Sequence, residues 1–191
     1  VNTLFNFQLM HFAGEDGVAA YGTLMYVNFI FVAIFLGYSI GSAPIVSYHY
    51  GARNSEELKN LLTKSLKMIG VWSVALFALA QLIASPLARI FVGYDPNLFD
   101  LTRHGFRIFC LAFLVNGFNI YGSSFFTALN NGLLSAVISF LRTLVFQIAS
   151  VLLLPMIFGI DGIWGAVFVA EILTLCVTII CLAKKQKVYH Y

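Results

Sequence analysis

Arg142 and Glu171 stand out because each is a single ionisable side chain inside a long apolar stretch. Hydrogen-bonding residues recur around them at helical spacing. Glu171, Thr174 and Thr178 step by three and four, and so do Asn116, Asn119, Ser123 and Thr127. Ser135, Ser139, Thr143, Gln147 and Ser150 repeat the pattern, with Arg142 beside them. Such steps place each set on one helix face. A carboxylate in that setting can pair with the arginine, exchange a proton or bind a cationic group. Enzymatic chemistry finds no support: the chain has no Walker A sequence, HExxH, GxSxG or Rossmann fingerprint, which argues against an enzyme and leaves a gradient as the energy source. Cys110, Cys176 and Cys181 are odd in number, lie in apolar runs and have no His at ligand spacing, so no disulfide framework, zinc site or other bound cofactor is expected.

The elements that must carry these residues follow from composition. The 191 residues are 60% hydrophobic and 10% charged, with 16% aromatics, whereas soluble domains are about 45–50% apolar and about 25% charged. The mean hydropathy of +0.89 calls for lipid around most of the surface, making the bilayer the first partner. A net charge of +3 without an extended basic run gives no footprint for nucleic acid.

About 20 apolar residues cross the hydrocarbon layer. The charge-free blocks 17–52 and 68–88, the run from Ile108 to Leu141 broken at Asn130-Asn131-Gly132, and the stretches either side of Pro155–Gly162 meet that length. The expectation is an all-α, polytopic membrane bundle with spans at about 18–48, 66–90, 105–129, 132–158 and 163–183. A truncated helix over 1–13 precedes them, with the whole of 1–191 as one lobe. The Val1 start inside an apolar segment without a basic n-region reads as a fragment rather than a signal peptide. Arg53, Lys59, Lys64 and Lys67 after the first full span, and Lys184, Lys185 and Lys187 after the last, put the 51–67 loop and the C-terminus in the cytoplasm by the positive-inside rule. His11, His49, His104 and His190 fall near span ends and read as interfacial.

Within that frame Arg142 lies about 15 Å above the Gly132 end of its helix, and Glu171 about 18 Å above the Ala183 end of the next. The two helices form a hairpin, so the charges reach similar depths. Burying either alone costs roughly 3 to more than 10 kcal/mol, which predicts that they meet in the bundle interior. Gly37 and Gly41 make a smooth helix face for close approach, and Pro44 cannot donate to Ile40, so a bend is expected there.

The stretch Gly37–Asn54, GYSIGSAPIVSYHYGARN, resembles the helix end and cytoplasmic link of the multidrug and toxic compound extrusion (MATE) family. Arg107–Phe109, Gly122–Leu129 (GSSFFTAL), Leu141-Arg142 and Leu154–Trp164 (LPMIFGIDGIW) continue the resemblance, in order, over nearly the whole chain. It implies a twelve-helix transporter of which this chain is the C-terminal six-helix lobe, its N-terminal lobe being a missing partner. It also implies a plasma-membrane antiporter that exports bulky, usually cationic xenobiotics in exchange for H⁺ or Na⁺. An acidic residue at the place of Glu171 and an Arg at the place of Arg142 belong to that pattern. The candidate cavity set is then Glu171, Arg142, Gln147, Asn116, Asn119, Ser139, Thr143 and Thr174, with Phe35, Tyr121, Phe126, Phe146 and Phe168 as faces for a flat cation. A lipid-linked oligosaccharide flippase of the same superfamily, or a non-transporting accessory module, are the alternatives.

Overall fold

Polar caps decide where the helices begin. Asn54 accepts from the backbone N–H of Glu57 at 3.1 Å and opens a helix that carries Glu56 and Glu57 in its first turn, where the dipole favours acids. Asp95 accepts from Asn97 and Leu98 N–H at 2.8 and 3.2 Å with Pro96 as first helical residue, a position where the missing proline N–H costs nothing. Asn131 caps the helix from Gly132 through Leu134 N–H at 3.1 Å.

The computed structural model describes residues 1–189 and 191, without the side chain of Lys187. His190, expected at the interface, lies outside the described residues. The elements are α1 (Asn2–Gly51), α2 (Ser55–Val92), α3 (Pro96–Phe109), α4 (Phe113–Ala128), α5 (Gly132–Phe140), α6 (Gln147–Phe158) and α7 (Ile160–Tyr189). A 3₁₀ turn at Cys110–Ala112 joins α3 to α4, and a π-helical segment at Leu141–Phe146 joins α5 to α6. These make five helices of membrane length: α1, α2, α3–α4, α5–α6 up to Phe158, and α7 up to Gln186. No strand occurs among the described residues. Apart from 132–158, the helices run further than the expected spans, because hydropathy marks only the lipid-crossing part. Beyond it, caps and charged turns carry the helix into the polar zone.

α1 is two arms. Gly14, at φ 61° and ψ −149°, breaks it, in a region that only glycine enters readily. Residues 2–13 fold back along 15–51, so that Tyr21 donates to Asn2 at 3.3 Å and stacks on Phe5. Gly37, Gly41 and Pro44 keep helical backbone angles; the non-helical residue of α1 is Gly14. Nothing lies within 4 Å of a Cβ built at Gly37 or Gly41, so the close helix approach expected there is not made inside this chain. That face of α1 stays open.

The α3–α4 span is the centre of the bundle: 61% of its most apolar window is buried, against 17–33% for the others. α1, α2, α5 and α7 all pack on α4. Small residues permit the approach. A Cβ at Gly105 would lie 2.7 Å from the Trp164 ring, and one at Gly117 would meet Phe35 and Ile69. Outside the core, Phe29, Ile30, Leu82, Ile90, Met156 and Ile157 are exposed, as a lipid-facing surface requires. Phe35, Tyr121 and Phe126 are buried in the core and offer no free face to a ligand.

Two ends of different charge result. The turn at 52–54, the turn at 129–131 and the end of α7 lie together, held by Asn131 Nδ2 donating to the Tyr189 hydroxyl at 2.8 Å and by the Tyr50–Tyr189 ring contact. Arg53, Lys59, Lys184 and Lys185 belong to this end. At the other end His104 of α3 meets Asp161 of α7 at 2.8 Å.

Candidate functional site

The three expected polar stripes do not share one cavity; two of them bind each other. Asn119 of α4, fully buried, donates through Nδ2 to the Glu171 backbone carbonyl at 2.8 Å and to its Oε2 at 2.7 Å. Its Oδ1 accepts from Thr178 at 3.2 Å. The other carboxylate oxygen, Oε1, accepts from Arg142 Nε at 2.9 Å and Nη2 at 2.6 Å. Asn116 Oδ1 accepts a second bond from Nη2 at 2.7 Å. Five residues from three spans thus form one connected network around a carboxylate that is 5% exposed. Both its oxygens are occupied by donors, which is what a buried charge requires.

The third stripe departs from expectation at its middle. The π-helical segment Leu141–Phe146 accommodates one more residue per turn than an α-helix. It aims Arg142 at α4 and α7, and it breaks the phase that would have kept Thr143 and Gln147 under Ser139. Thr143 is exposed and Gln147 half-buried, and neither side chain makes a hydrogen bond to the described residues. Thr174 is buried but donates to the Ala170 carbonyl of its own helix at 2.8 Å, a local bond that keeps it out of the network.

Ser139 joins a separate hydroxyl cluster: Ser123 Oγ lies 2.8 Å from Ser135 and 2.9 Å from Ser139, and Thr127 donates to Ser135 at 2.7 Å. Beside this cluster a cleft of about 280 Å³ opens between α1 and α5 over α4. Its walls are Leu36, Ser39, Ile40, Ile120, Ser123, Ser124, Thr127, Ser139 and Arg142. Only Ser139 and Arg142 of the candidate set reach it, together with the stripe members Ser123 and Thr127. Ser39, Ser124 and the α1 side of the cleft were not expected. Ser39 sits in the GYSIGSAP stretch, so the motif was visible, but not the direction of its hydroxyl. Among the described residues no group of three or more His, Cys, Asp or Glu could hold a metal ion.

Among the described residues, five membrane-length helices with an interior ion pair beside a cleft that is open on one face define a multi-pass membrane architecture. The MatE family model matches residues 1–153, and the chain belongs to that family. The probable multidrug resistance protein YoeA of Bacillus subtilis (strain 168) is 23% identical over 183 residues, covering 93% of this chain and 38% of that protein. A multidrug resistance MATE family transporter of the MOP superfamily matches in two solved states. Its outward-facing form gives a TM-score of 0.91 and its inward-facing form 0.90, both at 19% identity over 98% of this chain, and covering 42% and 43% of that one. The chain therefore spans about two fifths of the length of the relatives it matches.

Proposed function

We propose that this chain is one lobe of a secondary active antiporter that exports bulky xenobiotics across the plasma membrane in exchange for H⁺ or Na⁺. The observation that carries the reading is the Arg142–Glu171 pair, buried at mid-helix and bridging α4, the π-segment and α7. An ionised pair at that depth is costly, and the Oε1 that holds Arg142 is the atom that a proton or Na⁺ would occupy. The coupling ion and the guanidinium then compete for one oxygen, so ion arrival loosens Arg142 from α7. Glu171 is the coupling carboxylate in this reading, and the second lobe lies against the open Gly37–Gly41 face and the cleft. Membership of the MatE family supports it. So does the likeness of this lobe to both outward- and inward-facing states, as expected when lobes move as rigid bodies. The basic end faces the cytoplasm. The cationic class implied by the family resemblance meets no free carboxylate in the cleft, and lipid-linked oligosaccharide flipping is not favoured, since Arg142 is the one basic residue lining it.

The test uses the full-length protein in everted vesicles. Glu171→Gln should lower gradient-driven export, normalised to the amount of inserted protein, about 100-fold, a loss of roughly 2.7 kcal/mol of coupling. Undiminished export by the variant overturns the coupling role.

A further inference from the structure

The cleft between α1, α4 and α5 is lined by hydroxyls, which can donate or accept, and by charge of one sign. Arg142 uses Nε and Nη2 for Glu171 and Asn116. Its Nη1 donates to none of the described residues, and 24% of the side chain is exposed. Glu171 stands behind it with both carboxylate oxygens taken, and no Asp or Glu lines the cleft. Ser39 adds a second, independent observation. The residue lines the cleft, is 2% exposed, and its Oγ has no hydrogen-bond partner among the described residues. Its backbone carbonyl, in contrast, already accepts from Ser42 at 3.1 Å and Ser124 at 3.3 Å. A buried hydroxyl left without a partner costs about 1–3 kcal/mol, which an incoming acceptor would recover.

We propose that this cleft binds the anionic oxygen group, a carboxylate, sulfonate or phosphate, of an amphipathic substrate. Nη1 of Arg142 and the Ser39 hydroxyl are the donors, with the Ser123–Ser139 cluster beside them. The inference rests on the transporter reading and narrows its substrate class from bulky xenobiotics in general to anion-bearing ones. At about 280 Å³ the cleft falls near the lower limit of small-molecule sites, about 300 Å³. It accommodates a charged head group and leaves the apolar body of the substrate against Leu36, Ile40 and Ile120. An ammonium placed there could reach hydroxyl oxygens, but it would sit beside the Arg142 guanidinium with no carboxylate in the lining to offset the repulsion.

The probes are dansyl-glycine and dansyl-ethylenediamine, which share a ring system and end in a carboxylate and an ammonium. Binding is measured by fluorescence on the full-length protein in phosphatidylcholine nanodiscs, and transport of the same probes is measured in proteoliposomes. The carboxylate probe should bind at least about tenfold tighter, as expected for a charge-assisted bond. Ser39→Ala should reduce its affinity about tenfold and leave the ammonium probe unchanged. Arg142→Gln/Glu171→Gln, which removes both charges and strands neither, should abolish the discrimination. Equal affinity for the two probes, preference for the ammonium, or discrimination that survives the double substitution overturns the inference. A phosphate from lipid offers the same chemistry: if phosphatidylglycerol in the nanodisc abolishes probe binding, the anion belongs to a lipid head group and the substrate assignment falls. Carboxylate preference without gradient-driven movement of either probe leaves this site in place and removes the antiport reading. Gradient-driven export of the ammonium probe without carboxylate preference does the reverse.

Discussion

At Glu171 the network converts a costly residue into a fixed one, and the conversion depends on Arg142 as a fork. Nε and Nη2 close on Oε1 while Nη2 also reaches Asn116, a set that a lysine ammonium on a flexible stem does not reproduce. Removing one partner leaves an unpaired buried charge, which costs about 3–5 kcal/mol, whereas removing both is far milder. Thermal melting of the purified full-length protein should therefore show a large loss for Arg142→Ala and a smaller one for Arg142→Met/Glu171→Gln. Equal losses would mean that the pair contributes nothing as a pair. The depth arithmetic that predicted this contact needed only residue counts from the two helix ends. The same arithmetic could not show which oxygen is taken, or that Asn119 supplies the third donor bond.

Among the elements, the π-segment and the glycines of the central span govern what the helices can do. The sequence pattern Ser135, Ser139, Thr143, Gln147 reads as an unbroken α-helical stripe. It fails at Leu141–Phe146 because the pull of Asn116 and Glu171 on Arg142 is a tertiary effect with no local signature. The fold-back at residue 14 was better marked: the sequence gives a short apolar arm ending near Ala13, and Gly14 supplies the turn. Gly37 and Gly41 illustrate the limit of motif reading. Spacing alone identifies a smooth face, but it does not say whether the neighbour is in the same chain. Gly105 is the opposite case, because a Cβ built there would lie 2.7–3.1 Å from the Trp164 ring. Gly105→Ala should destabilise by about 1–3 kcal/mol through overpacking. Gly22→Ala, where a Cβ meets nothing within 4 Å, should be neutral or stabilise by up to about 1 kcal/mol through helix propensity. Paired melting curves decide it, and equal shifts would remove Trp164 packing as the cause.

For the whole molecule, the decisive asymmetry is between its two ends. Arg53, Lys59, Lys64, Lys67, Lys184 and Lys185 belong to the end where the turns at 52–54 and 129–131 meet the end of α7, outnumbering Glu56 and Glu57 there, whereas Arg89, Arg103 and Arg107 share the opposite end with Asp95, Asp100 and Asp161. The charge bias made that grouping legible in the sequence, because charges confined to short loops alternate sides with each span. Single cysteines at Lys64 and Asn97 in the full-length protein should react with a membrane-impermeant maleimide from opposite sides. Lys64→Cys is labelled in everted vesicles and Asn97→Cys in intact cells. Labelling of both from one side would refute the orientation. Cys110 is buried and its thiol is not expected to compete for a polar reagent.

Gly159 has a consequence for how such a chain enters the bilayer at all. With φ at 57° and ψ at −137°, it turns α6 directly into α7, and Gly162 lies so close to Leu154 that a Cβ there would clash with the backbone. Arg142 and Glu171 are therefore the facing charges of one hairpin, 29 positions apart in the chain. Inserted one helix at a time, a central arginine on its own costs about 2.5–3.5 kcal/mol. Entering together, the two helices present the membrane with a neutral pair. The tight turn supplies both members of the ion pair from one hairpin, so their charges offset each other without a residue from any second lobe.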